Sequence, residues 1–211
     1  MFKLTVLDND KWIAEGIAYY FAEKHILTCI PEEINSSNII RLVSGSDVVV
    51  SEISAYGRDV QFFSEILMDI SNKLPDTRLI LLTAIEEPAV IGYIHKLMPQ
   101  VTILSKRSEI QALADVVFNH SGGVDLTKGK VFIGHETDCL TSREFSLLRS
   151  FASGHSLVNI ARTLNVSGKT VSHHRSKIIK KLNCSNVMEF TQRLIDMGFS
   201  IQNSSTPTQQ L

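Results

Sequence analysis

Along the first 118 residues, short apolar runs alternate with stretches whose apolar positions recur every three or four residues. Lys3–Leu7 is a β-prone run, and a helical pattern follows from about Lys11 to Lys24. Asp47–Ser51 and Arg78–Thr83 are apolar and rich in Val, Ile and Leu, as expected of strands buried on both faces. Between them, Gln61–Lys73 spaces Phe62, Ile66, Ile70 and Leu74 largely as a helix does, with Met68 fitting less cleanly, and Pro75-Asp76 breaks the run. Val101–Leu104 predicts a last strand, and Ser108 is placed to cap a helix reaching about Phe118. Alternation of this kind predicts right-handed βαβ units: a parallel sheet with helices on both faces. In such sheets chemistry gathers at the C-terminal ends of the strands, which here points to Asp8, Glu52, Thr83 and Lys106.

The pattern changes after about residue 119. Residues 120–138 are rich in Gly and polar side chains and read as a linker, with a brief strand expected at Lys130–Ile133. From Leu140 to about residue 199 the segments are short and helical. Thr141 and Glu144 have capping-box spacing, and Phe145, Leu147, Leu148 and Phe151 follow before Gly154 ends the helix. Ser156 caps a second helix carrying Leu157, Ile160, Ala161 and Leu164. A tight turn at Asn165-Val166 leads to Ser167, the cap of a third helix, so the second and third form a helix-turn-helix candidate. The polar tail, residues 200–211, is expected to be disordered.

In the third helix Val171, Ile178 and Leu182 form one apolar stripe that must face a core. The opposite surface carries Lys169, Ser172, His173, Arg175, Ser176 and Lys180, with no acid between Ser167 and Met188. An ordinary solvated helix face mixes signs in i,i+4 pairs; this one repels itself unless it meets phosphate. Charge over the whole chain agrees. Residues 139–211 hold nine Lys/Arg against three acids, net +6, whereas residues 1–138 are net −7. Adjacent His173 and His174 point in different directions and cannot chelate one metal; no metal site and no cofactor motif is read. The three cysteines, Cys29, Cys139 and Cys184, are widely spaced and suit a reducing interior. With neither a secretory signal nor an apolar run of the roughly 18 residues a membrane span needs, a cytoplasmic location is expected.

The run from Leu140-Thr-Ser-Arg-Glu through Asn159-Ile-Ala-Arg-Thr-Leu-Asn-Val-Ser167 to Thr170-Val-Ser-His-His174 and Lys181-Leu182 resembles the LuxR/FixJ-type DNA-binding domain. The resemblance implies a four-helix domain whose third helix enters the major groove and whose fourth, about Asn186–Met197, supports dimerisation. It places base reading at Ser172, His173 and Ser176. Lys169, Thr170, Arg175, Lys177 and Lys180 then serve as phosphate or groove-edge contacts, and His174 matches the family's common histidine. One departure stands out. Leu157-Val158-Asn159 replaces the usual Asn-Lys-Glu, which removes a phosphate-contacting lysine from the second helix.

The first half, residues 1–119, resembles a response-regulator receiver domain, which implies a doubly wound α/β fold with a parallel five-stranded sheet. In that family an acidic pair and a strand-end Asp hold Mg²⁺, the Asp accepts phosphate, and a Thr/Ser and a Lys contact the phosphoryl group. Matching Ala14-Glu15-Gly16-Ile17 to the family's Arg-Glu-Gly-Leu puts the pair at Asp8 and Asn9, the acceptor at Glu52, and the contacts at Thr83 and Lys106. The family's switch aromatic falls on Ile103. Asn9 is neutral and Glu52 is one methylene longer than Asp, so the phosphorylation site is degenerate. Glu52 is then an unused remnant, a partner for Lys106 that imitates the phosphorylated state, or a site of residual phosphorylation. Asp8-Asn9-Asp10 also fits the DxD of haloacid-dehalogenase-type phosphatases, but the acidic pair those enzymes need after the Lys is absent, and no enzyme is expected. Expected partners are double-stranded DNA and a second copy of the chain. The alternatives are an auxiliary regulator acting as a heterodimer with a phosphorylatable homologue, and a module that sequesters a partner.

Overall fold

The computed structural model describes residues 2–118 and 139–201. The strand expected at Lys130–Ile133 and the tail from Gln202 lie outside the described residues. In chain order the elements are β1 (Lys3–Leu7), α1 (Lys11–Ala22), β2 (Leu27–Cys29), α2 (Ile39–Val43), β3 (Val48–Ser51), α3 (Val60–Lys73), β4 (Arg78–Thr83), α4 (Pro88–Leu97), β5 (Thr102–Ser105), α5 (Ile110–Phe118), α6 (Ser142–Ala152), α7 (Leu157–Thr163), α8 (Gly168–Lys181) and α9 (Val187–Asp196).

The five strands form a parallel sheet in the order β2-β1-β3-β4-β5. Side chains alternate across it, as the period of two requires. Val48, Val50, Ile80, Leu82 and Leu104 pack with Ala14, Ile17 and Phe21 of α1 and Leu113 and Val117 of α5. Val49, Leu79, Leu81 and Ile103 pack on the other side with Phe63, Leu67 and Ile70 of α3 and Ile91 and Ile94 of α4. Leu7, Ser51 and Leu81 stand abreast, and Thr83 stands beside Ser105. Asp8, Glu52, Thr83 and Lys106 therefore emerge at one end of the sheet, where the strand order reverses between β1 and β3.

Three elements go beyond the periodic segments read from sequence: β2, α2 and α4. In α3 it is Phe63 that is fully buried, whereas Phe62 is half-buried and stacks under the Arg58 guanidinium. The helical half has the expected caps. Thr141 accepts from Glu144 N while the Glu144 carboxylate accepts from Thr141 N, closing the capping box; Ser156 and Ser167 accept from Asn159 N and Thr170 N. Its core is continuous with the α3–α4 side of the sheet, because Leu140, Phe145, Leu148, Phe190 and Leu194 belong to one apolar cluster with Phe63 and Ile94.

Candidate nucleic-acid interface and the strand-end pocket

Helix α8 is held by its apolar stripe. Val171 packs with Ile160 and Ala161 of α7, while Ile178 and Leu182 reach the larger core. Asn165, with φ 51°, supplies the left-handed residue of the α7–α8 turn, a conformation asparagine tolerates better than most. Opposite the stripe, Lys169, His173, Ser176, Lys177 and Lys180 are exposed and Ser172 is half-buried. Thr170 is exposed at the N-terminal turn, its hydroxyl 2.8 Å from Ser167 Oγ. Arg175 differs: it is half-buried and lies one turn after Val171, at the edge of this face rather than on it. Ser176 Oγ donates to Ser172 O at 3.0 Å, so toward a ligand it can only accept. The half-buried His174 points its Nδ1 inward, where it has no hydrogen-bond partner.

The last lysine of the helix has a different task. Lys181 Nζ reaches the Glu144 carboxylate and Cys139 O, both at 2.7 Å, and ties α8 to α6. Burial would raise the Glu144 pKa, but Lys181 and the Thr141 amide and hydroxyl outweigh it and hold the carboxyl below its ordinary range. The exposed face keeps Lys169, Lys177 and Lys180, and among the described residues none of the three is in an ion pair. An ammonium row of this kind, on a helix whose N-terminus also favours anions, can bind a phosphate backbone while short hydroxyls and an imidazole meet base edges.

At the sheet end the structure brings Asp8, Glu52, Thr83 and Lys106 together. Lys106 Nζ lies 2.6 Å from Asp8 Oδ2 and 3.0 Å from Glu52 Oε2, and both carboxylates are 4% exposed. Burial would lower the Lys106 pKa; the two carboxylates outweigh it and hold the ammonium above its ordinary value. Glu52 is saturated. Its Oε1 accepts from Ile53 N (2.8 Å) and the Thr83 hydroxyl, and its Oε2 from Ala84 N (3.0 Å) and Lys106. Asp8 Oδ1 accepts from Asp10 N at 2.9 Å, and Asn9 Oδ1 from Tyr56 N at 3.2 Å. The Tyr56 hydroxyl donates to Pro31 O at 2.9 Å, with Asp8 O at 3.3 Å; burial first, then the Asp8 charge, push its pKa up to about 12. These residues do not fit the Mg²⁺ that a receiver fold implies. An ammonium stands between the two carboxylates, every anionic oxygen already has a donor, and the third ligand position is an amide whose oxygen is engaged.

The sequence missed Tyr56 and the Ile53 and Ala84 amides, and backbone donors leave no signal in residue type. It also missed the residues that join the two halves. Arg149 forms a forked pair with Asp59 at 2.8–3.1 Å, Arg193 pairs with Glu87 at 2.9 Å, and the Gln61 amide donates to Phe145 O.

Residues 138–194 match the family model described as bacterial regulatory proteins, luxR family. The transcriptional regulatory protein LiaR of Bacillus subtilis (strain 168) is 25% identical over 203 residues, covering 88% of this chain and 93% of LiaR. The transcriptional regulatory protein UhpA of Escherichia coli (strain K12) is 37% identical over 97 residues, 44% of this chain and about half (49%) of UhpA. Among solved structures, RcsB of Salmonella enterica serovar Typhimurium, bound to promoter rprA in the presence of phosphomimetic BeF₃⁻, superposes with a TM-score of 0.64 at 22% identity, covering 92% of this chain and 99% of RcsB. That likeness fixes the fold: a five-stranded receiver-like half followed by a helix-turn-helix half.

Proposed function

We propose that this chain, a receiver-like α/β half followed by a luxR-family helix-turn-helix, regulates transcription by reading duplex DNA through α8 without waiting for an aspartyl phosphate. The observation that carries the DNA reading is the outward face of α8. Lys169, Lys177 and Lys180 flank His173, Ser172 and Ser176, and no acid lies between Glu144 and Glu189. The lysines position the helix on phosphate; His173 and the two serines are the base-edge candidates, with Ser176 limited to accepting. Short hydroxyls leave room for water-mediated and shape readout. One such module covers few base pairs, so a dimer spanning two half-sites is the working unit. RcsB has been solved as two dimers bound to two parallel DNAs, which supports the same expectation here.

Independence from phosphorylation rests on Glu52. A carboxylate already holding Thr83, Ala84 N and Lys106 occupies the positions that a phosphoryl group would claim and is not free to attack. Two experiments test the reading. In the first, duplexes are selected from a random library by the purified protein and their binding is followed by fluorescence anisotropy. The lone protein is expected to select a sequence, and Lys169→Ala with His173→Ala to weaken it by at least about tenfold, one or two contacts' worth. Undiminished binding by the double variant would remove α8 from the interface, and binding only after addition of a phosphorylatable homologue would favour the auxiliary role. In the second, intact mass after acetyl phosphate treatment should show no added phosphoryl group.

A further inference from the structure

Two glycines, one in each half, stand where the other half's atoms crowd in. Gly92 is in the middle of α4, where glycine is the poorest helix former after proline. A β-carbon there would lie 2.2 Å from Sγ and 3.4 Å from Cβ of Cys139, in the helical half. Gly198 follows α9 with φ +84°, and a β-carbon on it would lie 2.3 Å from Ser54 Oγ and 2.8 Å from Arg58 O, in the α/β half. Neither close approach exists unless the halves are docked.

Backbone and side chains bind them at the same face. Leu140 N donates to Ala89 O at 2.9 Å and Val60 N to Met197 O at 3.0 Å, so residues of the helical half take up groups at the starts of α3 and α4. Tyr93 stacks on Phe145 with ring centres 4.3 Å apart. Asp59, the N-cap of α3, holds Arg149, and Glu87, which precedes α4, holds Arg193. Among the described residues, these bonds, ion pairs and ring contacts come from 139–149 and 193–198. The exposed side chains of α8 take part in none of them and face solvent. The loop from Ala84 to Glu87 runs directly from the Glu52 carboxylate to this contact.

We infer that the docked arrangement is the DNA-binding form: the α3–α4 face of the receiver-like half holds the helix-turn-helix as one rigid body with α8 turned outward. The inference rests on the reading of α8 given above. The test uses the full chain. Gly92→Cys places two β-carbons 3.4 Å apart, close to the disulfide range, and treatment with diamide should join residues 92 and 139, as peptide mass mapping would show. Oxidised Gly92→Cys should bind the duplex selected by the wild type within about twofold of the wild type itself, and Gly92→Phe, whose ring the docked face has no room for, should bind it at least about tenfold more weakly. In parallel, Gly92→Phe, too large for the Cys139 sulfur to make way by rotating, should split the thermal unfolding of the protein into two transitions.

Loss of binding on cross-linking, with the reduced form still binding, would mean that docking is the off state and would overturn the inference. So would failure of the cross-link to form, or a Gly92→Phe protein that still melts in one transition. Should Gly92→Cys not fold, Glu87→Arg carries the question: the transition should split in the single variant and rejoin when Arg193→Glu is added, and absence of that rescue would overturn the docking. A wild-type protein that selects no duplex removes the reading of α8 itself, and the inference with it, whatever the cross-link does.

Discussion

Glu52 shows how one methylene changes a site. The carboxylate reaches across the sheet end to Thr83, Ala84 and Lys106, so the longer side chain is anchored rather than displaced into solvent. Glu52→Ala leaves the Lys106 ammonium with Asp8 alone and strands the Ala84 amide. Removing one member of a buried pair costs about 3–5 kcal/mol, to be read from urea denaturation at pH 7. Tyr56 fixes the alkaline limit. Its protonated form is favoured in the fold, with a pKa of about 12 against about 10 unfolded, so its stabilisation is intact below about pH 10 and is lost as pH rises toward 12. Lys106 acts in the same sense, since its raised pKa also makes the protonated form the stabilising one. The urea midpoint should therefore fall steeply above pH 10 in the wild type and less steeply in Tyr56→Phe. At this scale the sequence was legible where chemistry follows residue type: Asp8, Asn9, Glu52, Thr83 and Lys106 were placed by strand ends and by resemblance. The Ile53 and Ala84 amides were not legible, because any residue supplies an amide and only the bend of the loop aims it.

Elements with a cap and one apolar stripe were also legible. Ser167 opens α8, Thr141 and Glu144 open α6, and Val171, Ile178 and Leu182 mark the buried side of α8. Ser167→Ala removes the acceptor for Thr170 N at the N-terminus of α8. The expected loss is about 1 kcal/mol of stability, by thermal or urea unfolding, with the helix still formed. The elements that stayed hidden lack those signals for separate reasons. The strand β2 is a three-residue edge with Leu27 half exposed, and α2 is five residues long without a side-chain cap. Helix α4 is hidden by being covered twice. Ala89, Val90, Ile91, Gly92 and Ile94 are all buried, because the sheet lies on one side and the helical half on another, and a helix apolar all round shows no 3.6-residue rhythm.

At the scale of the whole molecule, charge segregation pointed to a basic half, but the joint between the halves was not readable. Asp59, Gln61, Glu87, Arg149 and Arg193 look like ordinary surface residues until the chain brings them together. Gly92 alone carried a trace, as a helix-weakening residue with no turn to justify it. Cys139 sits at that joint, 5% exposed, with its sulfur in the space a side chain at 92 would fill. Its alkylation rate should consequently follow the opening of the halves. With a thiol reagent such as iodoacetamide, modification of Cys139 is expected to be slow in the wild type and at least about tenfold faster in Glu87→Arg, as protection by a closed state requires. Equal rates would mean that its shielding comes from the helical half alone. The glycine that leaves room for this sulfur thus gives the protein a built-in clock, in which the alkylation of one native thiol records how often the two halves let go of each other.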